Sequence, residues 1–191
     1  MSAAADHPTN SLRWIRHRAG APGLRLGLGP DCRPVGAMRQ LQRLLNQHCF
    51  WARDRSLSGL QCMLRGSSAI VTAWRQDDTL VGFARATSDG VYRAVLWDVV
   101  IANDEKGQGL GRRLVETLLS DPRVAGCERT YLMTSQSRGF YERLGFQSVT
   151  TQNLMRLDSH TGSAEPDRPE DDGQGLANGG PSAETVSRRL P

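Results

Sequence analysis

Glycine stands at positions 107, 109 and 111, directly ahead of an amphipathic helical pattern, in the run Glu105 to Glu116 (EKGQGLGRRLVE). No other feature constrains the fold as much. Glycine loses more backbone freedom on ordering than any other residue, so this density implies a need for bare backbone. The preceding run, Arg93–Ile101, reads as a strand. The following one, Gly109 to Ser120, reads as a helix with Leu110, Leu114, Thr117 and Leu118 on one face. The first turn of a helix exposes backbone N–H groups and a partial positive charge. Glycine lets a phosphate approach those groups closely. A strand, a glycine loop and a helix in that order therefore read as a phosphate cradle, with Arg112 and Arg113 adding charge at its rim. Tight strand-to-helix packing is the other reading of the same glycines.

Two familiar phosphate motifs do not fit. In a G-x-G-x-x-G dinucleotide fingerprint starting at Gly107, the third glycine would fall on Arg112. A P-loop ends in G-K-[ST], and here the loop ends Gly111-Arg112-Arg113.

The rest of the chain alternates helix and strand patterns. Leu12–His17 and Leu24–Leu28 read as short strands. Val35–Gln47 carries Met38, Leu41, Leu44 and Leu45 at helical spacing. Asp54 or Ser56 is placed to cap a second helix bearing Leu57, Leu60, Met63 and Leu64. Ala69–Trp74, Leu80–Thr87 and Arg93–Ile101 follow as strands, with an Asp-Gly hairpin signal at Asp89-Gly90. After the glycine helix, which Pro122 ends, Glu128–Met133 reads as a strand and Ser135–Leu144 as a helix. Phe146–Val149 and Asn153–Leu157 read as closing strands. The expected fold class is α/β (α+β), a mixed sheet rather than a doubly wound one. The domain is expected over residues 12–157. Residues 1–11 and 158–191 are too polar and too rich in Gly and Pro to repay ordering and are expected to be disordered.

Charge and composition exclude several functions. Residues 158–191 carry seven acids and three arginines, so within a chain of net charge +4 the rest is +8. That balance suits an anionic ligand. Nucleic-acid binding is not expected, because no basic helix or strand carries interleaved aromatics. No apolar run approaches a membrane span and no secretory h-region opens the chain. A cytoplasmic location is expected. Cys32, Cys49, Cys62 and Cys127 form no C-x-x-C, and the four histidines are scattered, so no metal site is expected.

The segment Lys106 to Gly111 (KGQGLG) resembles the pyrophosphate loop of the GNAT acetyltransferases, [Q/R]-x-x-G-x-[G/A]. Gly109 and Gly111 match, and Lys106 takes the Gln/Arg position with its charge kept. A second run, Gly139 to Phe146 (GFYERLGF), is similar to the family's F-Y-x-x-x-G-F signature. Phe50–Ser56 (FWARDRS), Arg85–Val100 and Tyr131–Thr134 (YLMT) resemble the cyanobacterial and chloroplast branch, which includes serotonin N-acetyltransferase-like enzymes and protein-lysine acetyltransferases.

The resemblance implies a GNAT-type, mostly antiparallel sheet flanked by helices, and acetyl transfer from acetyl-CoA to a primary amine. The acceptor would be a small arylalkylamine or a protein lysine, and a homodimer is left open. It implies that Lys106, Gly107, Gln108, Gly109, Leu110, Gly111 and Arg112 hold the pyrophosphate. The backbone of Val99, Val100 and Ile101 would pair with the pantetheine arm. Thr134 stands near the position where the family often has an Asn on CoA. Tyr141 stands where the family places a general-acid tyrosine, and it would also contact CoA. Asp98 is the candidate base. Alternation puts Val95, Trp97, Val99 and Ile101 on one face and Asp98 on the other. If the first face meets substrate, Asp98 is structural and the proton leaves through water. Trp51, Trp74, Trp97 and Tyr92 are candidates for an aromatic acceptor pocket or for packing. Glu105 and Asp104 read as a solvated loop edge. The alternative function is a non-catalytic acyl-CoA sensor on the same fold.

Overall fold

The computed structural model describes residues 12–17 and 36–157. Among the described residues five strands form one sheet in the order β1 (Arg13–His17), β2 (Ala69–Trp74), β3 (Leu80–Ser88), β4 (Arg93–Ile101) and β5 (Arg129–Tyr131). Every neighbouring pair is antiparallel except β4 and β5, which run parallel. The first four strands keep the expected places to within a residue. The segment Leu24–Leu28 lies outside the described residues.

Helices cover both faces. On one side lie α1 (Ala37–His48) and α2 (Leu57–Arg65), joined by a 3-10 turn at Phe50–Ala52. Leu41, Leu44, Leu45, Leu60 and Leu64 of these helices pack on Ile70, Val81, Phe83 and Val100 of the sheet. Their i, i+3, i+4 spacing is what sets a single apolar stripe against the strands. Ser56 caps α2, its hydroxyl accepting from the Gly59 amide at 3.0 Å. On the opposite side α3 (Leu110–Leu119) packs Leu114, Val115 and Leu118 on Ala84, Ala86, Ala94 and Leu96. Alanines at these strand positions let the helix sit close to the sheet.

The alternation of β4 breaks in the middle. Phe83 faces Val100 and Arg85 faces Trp97, so Asp98 and Val99 stand against Ala84 alone. This is a β-bulge, and Asp98 takes a left-handed φ of 49° within it. The expected faces are therefore corrected. Trp97 and Asp98 share one side, since Arg85 covers the Trp97 ring and also bonds Asp98. Val99 and Ile101 pass to the side packed by α3, and Val100 joins the α1/α2 side.

Four boundary expectations are also corrected. Pro122 does more than end α3: it opens a short helix, α4 (Pro122–Ala125), capped by the Asp121 carboxylate. Strand β5 is only Arg129–Tyr131, because its pairing with β4 stops at Val95↔Tyr131. Helix α5 is Arg138–Glu142, shorter than expected, because Thr134 Oγ1 accepts from the Ser137 amide in a preceding turn. Phe146–Val149 and Asn153–Leu157 form no strand. A strand needs a partner for its backbone groups, and neither segment pairs with a described strand. The compact unit ends at Gln147, and the described residues of the second unit, 148–157, hold no helix or strand.

Candidate active site

The glycine loop splits into two kinds of glycine. Gly107 and Gly109 have left-handed φ values of 82° and 76°, and a Cβ built on either would meet no atom within 4 Å. Gly111 differs: its Cβ would touch the Phe140 ring at 3.4 Å. Thus Gly107 and Gly109 keep open space over a turn that L-residues resist, and Gly111 lets α5 approach α3. The packing reading applies at Gly111, while Gly107 and Gly109 leave the open space that a cradle requires.

The amides from Gly107 through Arg112 donate to no acceptor among the described residues. They lie at the N-terminus of α3, where the helix supplies partial positive charge. Such a row of unpaired donors around open space fits a pyrophosphate. Glu105, which precedes it, is corrected from a solvated edge to a buried anchor. Its carboxylate accepts from Arg75 Nε at 2.6 Å and from Gln108 Nε2 at 3.4 Å. Arg75 also bonds the exposed Asp104 at 2.5 Å. Arg75 thus gives the buried Glu105 a counter-ion and fixes the loop's entry.

The rim arginines have other partners. Arg112 bonds Glu116 and the Arg143 carbonyl, tying α3 to the end of α5. Arg113 stacks over the Trp14 ring at 4.6 Å, against β1. Neither is held by the loop itself.

Strand β4 leads into the cradle, and beyond Val95 its outer edge has lost β5. The backbone of Val99, Val100 and Ile101 on that edge has no described strand partner, while on the inner edge Val100 pairs with Phe83 and Ile101 with Gly82. Pairing of the two parallel strands ends at Val95↔Tyr131, ahead of the bulge, and leaves the rest of that β4 edge without a described strand partner. A linear chain with amide groups, such as pantetheine, fits an edge of this kind as an added strand would.

Tyr141 sits on α5, half-buried, with its ring edge-on to Phe140 at 4.9 Å and to Phe146 at 5.8 Å. Burial raises its phenol pKa above the ordinary value, so the proton stays on at neutral pH. Phe140, Tyr141 and Leu144 all pack, partly buried, on the α3-side cluster. Thr134 is exposed and caps the turn before α5.

Asp98 is buried on the Arg55 and Arg85 side of β4. Its Oδ2 accepts from Arg85 Nε at 2.7 Å and Arg55 Nη1 at 3.1 Å. Burial pushes this carboxyl up, but the two guanidiniums outweigh burial and hold it below the usual range. Arg55 and Arg85 carried no separable signal in the sequence. The nearest clue was an Asp inside the apolar strand VLWDVVI, since a buried carboxylate requires cations.

The four aromatics do not form one pocket. Trp74 is fully buried and donates to Thr72. Trp97 donates to Thr87 Oγ1 at 2.8 Å. Tyr92 lies exposed on the β3–β4 hairpin, and Trp51 pairs edge-on with Phe50 at 5.0 Å, both exposed. A separate cavity of about 560 Å³ opens between α1 and the β2–β3 turn, lined by Arg43, His48 and Arg75 among others. None of Trp97, Asp98, Tyr141 or the glycine loop lines it. Among the described residues no cluster of three or more His, Cys, Asp or Glu could hold a metal ion, and no helix is long and apolar enough to cross a membrane.

Comparison with known proteins agrees with this geometry. The chain is 38% identical over 100 residues to an uncharacterized N-acetyltransferase, ycf52, of Pyropia yezoensis, covering 50% of this chain and 57% of that one. It is 46% identical over 67 residues to serotonin N-acetyltransferase 2, chloroplastic, of Oryza sativa, covering 35% and 34%. The match thus spans little more than half of the longer-matching relative. An aminoglycoside N-acetyltransferase solved with CoA shares the fold, with a TM-score of 0.55 at 13% identity over 77% of this chain and 95% of that one. The profile of the Acetyltransferase (GNAT) family matches residues 36–146, which span the α1/α2 layer, strands β2 to β5 and the glycine loop. The chain belongs to the GNAT acetyltransferase family.

Proposed function

We propose that the protein transfers an acetyl group from acetyl-CoA to a primary amine by direct attack. The observation that carries this reading is the row of unpaired amides from Gly107 to Arg112, set where the free edge of β4 ends. Loop and edge together offer a phosphate cradle and a strand-like track on one line. Lys106 adds positive charge at the start of the loop. Bound acetyl-CoA would supply the activated acetyl group.

The chain's own residues then have distinct tasks. Amides on the free edge of β4 stabilise the negative charge that develops on the acetyl oxygen. Tyr141, kept protonated by burial, donates to the departing thiolate. Asp98 is a poor base, because its two arginine partners hold it ionised and weakly basic. Its task is to position Arg55 and Arg85, and the ammonium proton leaves through water. The amine acceptor, of arylalkylamine or lysine type, enters from the α1/α2 side, where Arg85 and Trp97 stack beside the bulge. The test is thiol release from acetyl-CoA across arylalkylamines, polyamines and lysine peptides, beside a binding titration of acetyl-CoA. Turnover with any amine supports transfer. Tight binding without turnover favours an acyl-CoA sensor, and no binding overturns the cradle.

A further inference from the structure

The charge beside the bulge does not balance. Asp98 is a single carboxylate, and both guanidiniums bond the same oxygen, Oδ2. No other acid bonds Arg55 or Arg85 among the described residues. One carboxylate offsets one guanidinium, so the trio keeps a net positive charge. That charge is partly withdrawn from water yet still reachable by a ligand, the Arg85 side chain being 13% exposed and that of Arg55 32% exposed. Holding an uncompensated cation there costs desolvation energy unless an anion completes the site.

The donors for an anion are present. Arg85 uses only Nε in hydrogen bonding, and its Nη groups are not buried. Arg55 uses only Nη1, toward Asp98 and the Met63 sulfur. Asp98 fixes both heads, and the Trp97 ring supports Arg85 at 5.5 Å. A fixed guanidinium pair matches the geometry of a carboxylate. CoA phosphates are not the natural partner. The cradle that fits them begins at Gly107, beyond the end of β4, and Asp98 to Ile101 alone spans about 10 Å of strand.

We infer that the acceptor carries a carboxylate near its reactive amine, and that Arg55 and Arg85 bind it at the β4 bulge. The inference rests on the proposed acetyl transfer and narrows its acceptor. The carboxylate belongs either to a free amino acid or to an acidic side chain beside a lysine. Arg55 is the specificity-determining residue open to solvent, and Asp98 is a positioning residue.

The test uses matched acceptors that differ only in the carboxylate. One pair is phenylalanine and phenethylamine. The other is a lysine peptide with glutamate beside the lysine and its glutamine counterpart. Both kcat/KM for acetyl transfer and Kd by calorimetry are measured on the full chain and on Arg55→Gln. Arg85 remains on Asp98 in that variant, so the buried carboxylate keeps a counter-ion. The carboxylated member of one pair should be preferred about tenfold. Arg55→Gln should bring that ratio close to unity, and Arg55→Lys should restore part of it. The pair that shows the preference identifies the source of the carboxylate. Equal or better use of both uncharged members by the full chain overturns the inference, as does a preference that Arg55→Gln leaves intact. If no acceptor turns over, acetyl transfer fails separately, and equal calorimetric affinities within both pairs sink the carboxylate site.

Discussion

At the scale of single residues, the site depends on where side chains are missing. Gly109 holds a φ of 76° under open space. Gly109→Val adds a branched Cβ where a phosphate would approach, in a conformation that β-branched residues resist. Acetyl-CoA affinity by calorimetry should fall at least about 100-fold, while the circular dichroism spectrum stays native; unchanged affinity would remove the cradle. Tyr141→Phe deletes only a hydroxyl and keeps the ring contacts with Phe140 and Phe146. Its kcat should fall by about 100-fold, within the usual range for a general acid, with a smaller rise in the KM for acetyl-CoA. An unaltered kcat would leave Tyr141 a packing residue. Both positions are singled out in the sequence by its resemblance to the two GNAT motifs, KGQGLG and GFYERLGF. Arg55 and Arg85 were not, since a surface arginine and a site arginine are spelled the same way.

At the scale of elements, the approach of α5 to α3 is set by Gly111 and clamped by Arg112. A Cβ at 111 meets Phe140 at 3.4 Å, an ordinary contact. Gly111→Ala should therefore be tolerated, with a gain in helix propensity of up to about 1 kcal/mol. Gly111→Val should push on the Phe140 ring and cost about 1–3 kcal/mol in urea melts, and it should also lower kcat because Tyr141 rides on α5. A Val variant as stable and active as the wild type would show that α5 moves freely. The elements themselves were mostly readable, because period-2 and period-3.6 patterns report single strands and helices. Their ends were not. Pairing of β5 with β4 ends at Val95↔Tyr131, and Phe146–Val149 joins no described strand, the Phe146 amide donating back to the Tyr141 carbonyl instead.

At the scale of the whole molecule, the sheet carries a buried pH dependence. His17 on β1 lies against Thr72 Oγ1 at 2.9 Å, and Trp74 Nε1 donates to that same oxygen at 2.8 Å. The Thr72 hydroxyl is then free to donate to an unprotonated His17 Nε2. Burial lowers the His17 pKa from 6.5 to about 4. The folded state thus holds the neutral ring while the unfolded chain takes up a proton. This contribution is fully present above pH 6.5 and is lost as the pH falls from there toward 4. Between pH 7 and pH 5 it amounts to about 2 kcal/mol. Urea melts of the wild type should show that loss, and His17→Gln should flatten it; an equal slope in both proteins would place the dependence elsewhere.

The sequence by itself determined the family-level outcome. The glycine spacing, the following amphipathic helix and the FYERLGF run are local, and local patterns survive translation into structure because backbone geometry repeats along the chain. It also determined the order of most elements, since each buries its own apolar face. Only the tertiary structure decided the bulge at Asp98, the loss of β5 from the free edge of β4, and the meeting of Arg55 and Arg85 on one carboxylate. Arg55 and Asp98 are 43 residues apart, and Arg85 and Asp98 are 13. Nothing in local periodicity reports a contact at such separations. Packing brings the groups together, and the net charge that results belongs to the assembled fold rather than to any segment of it.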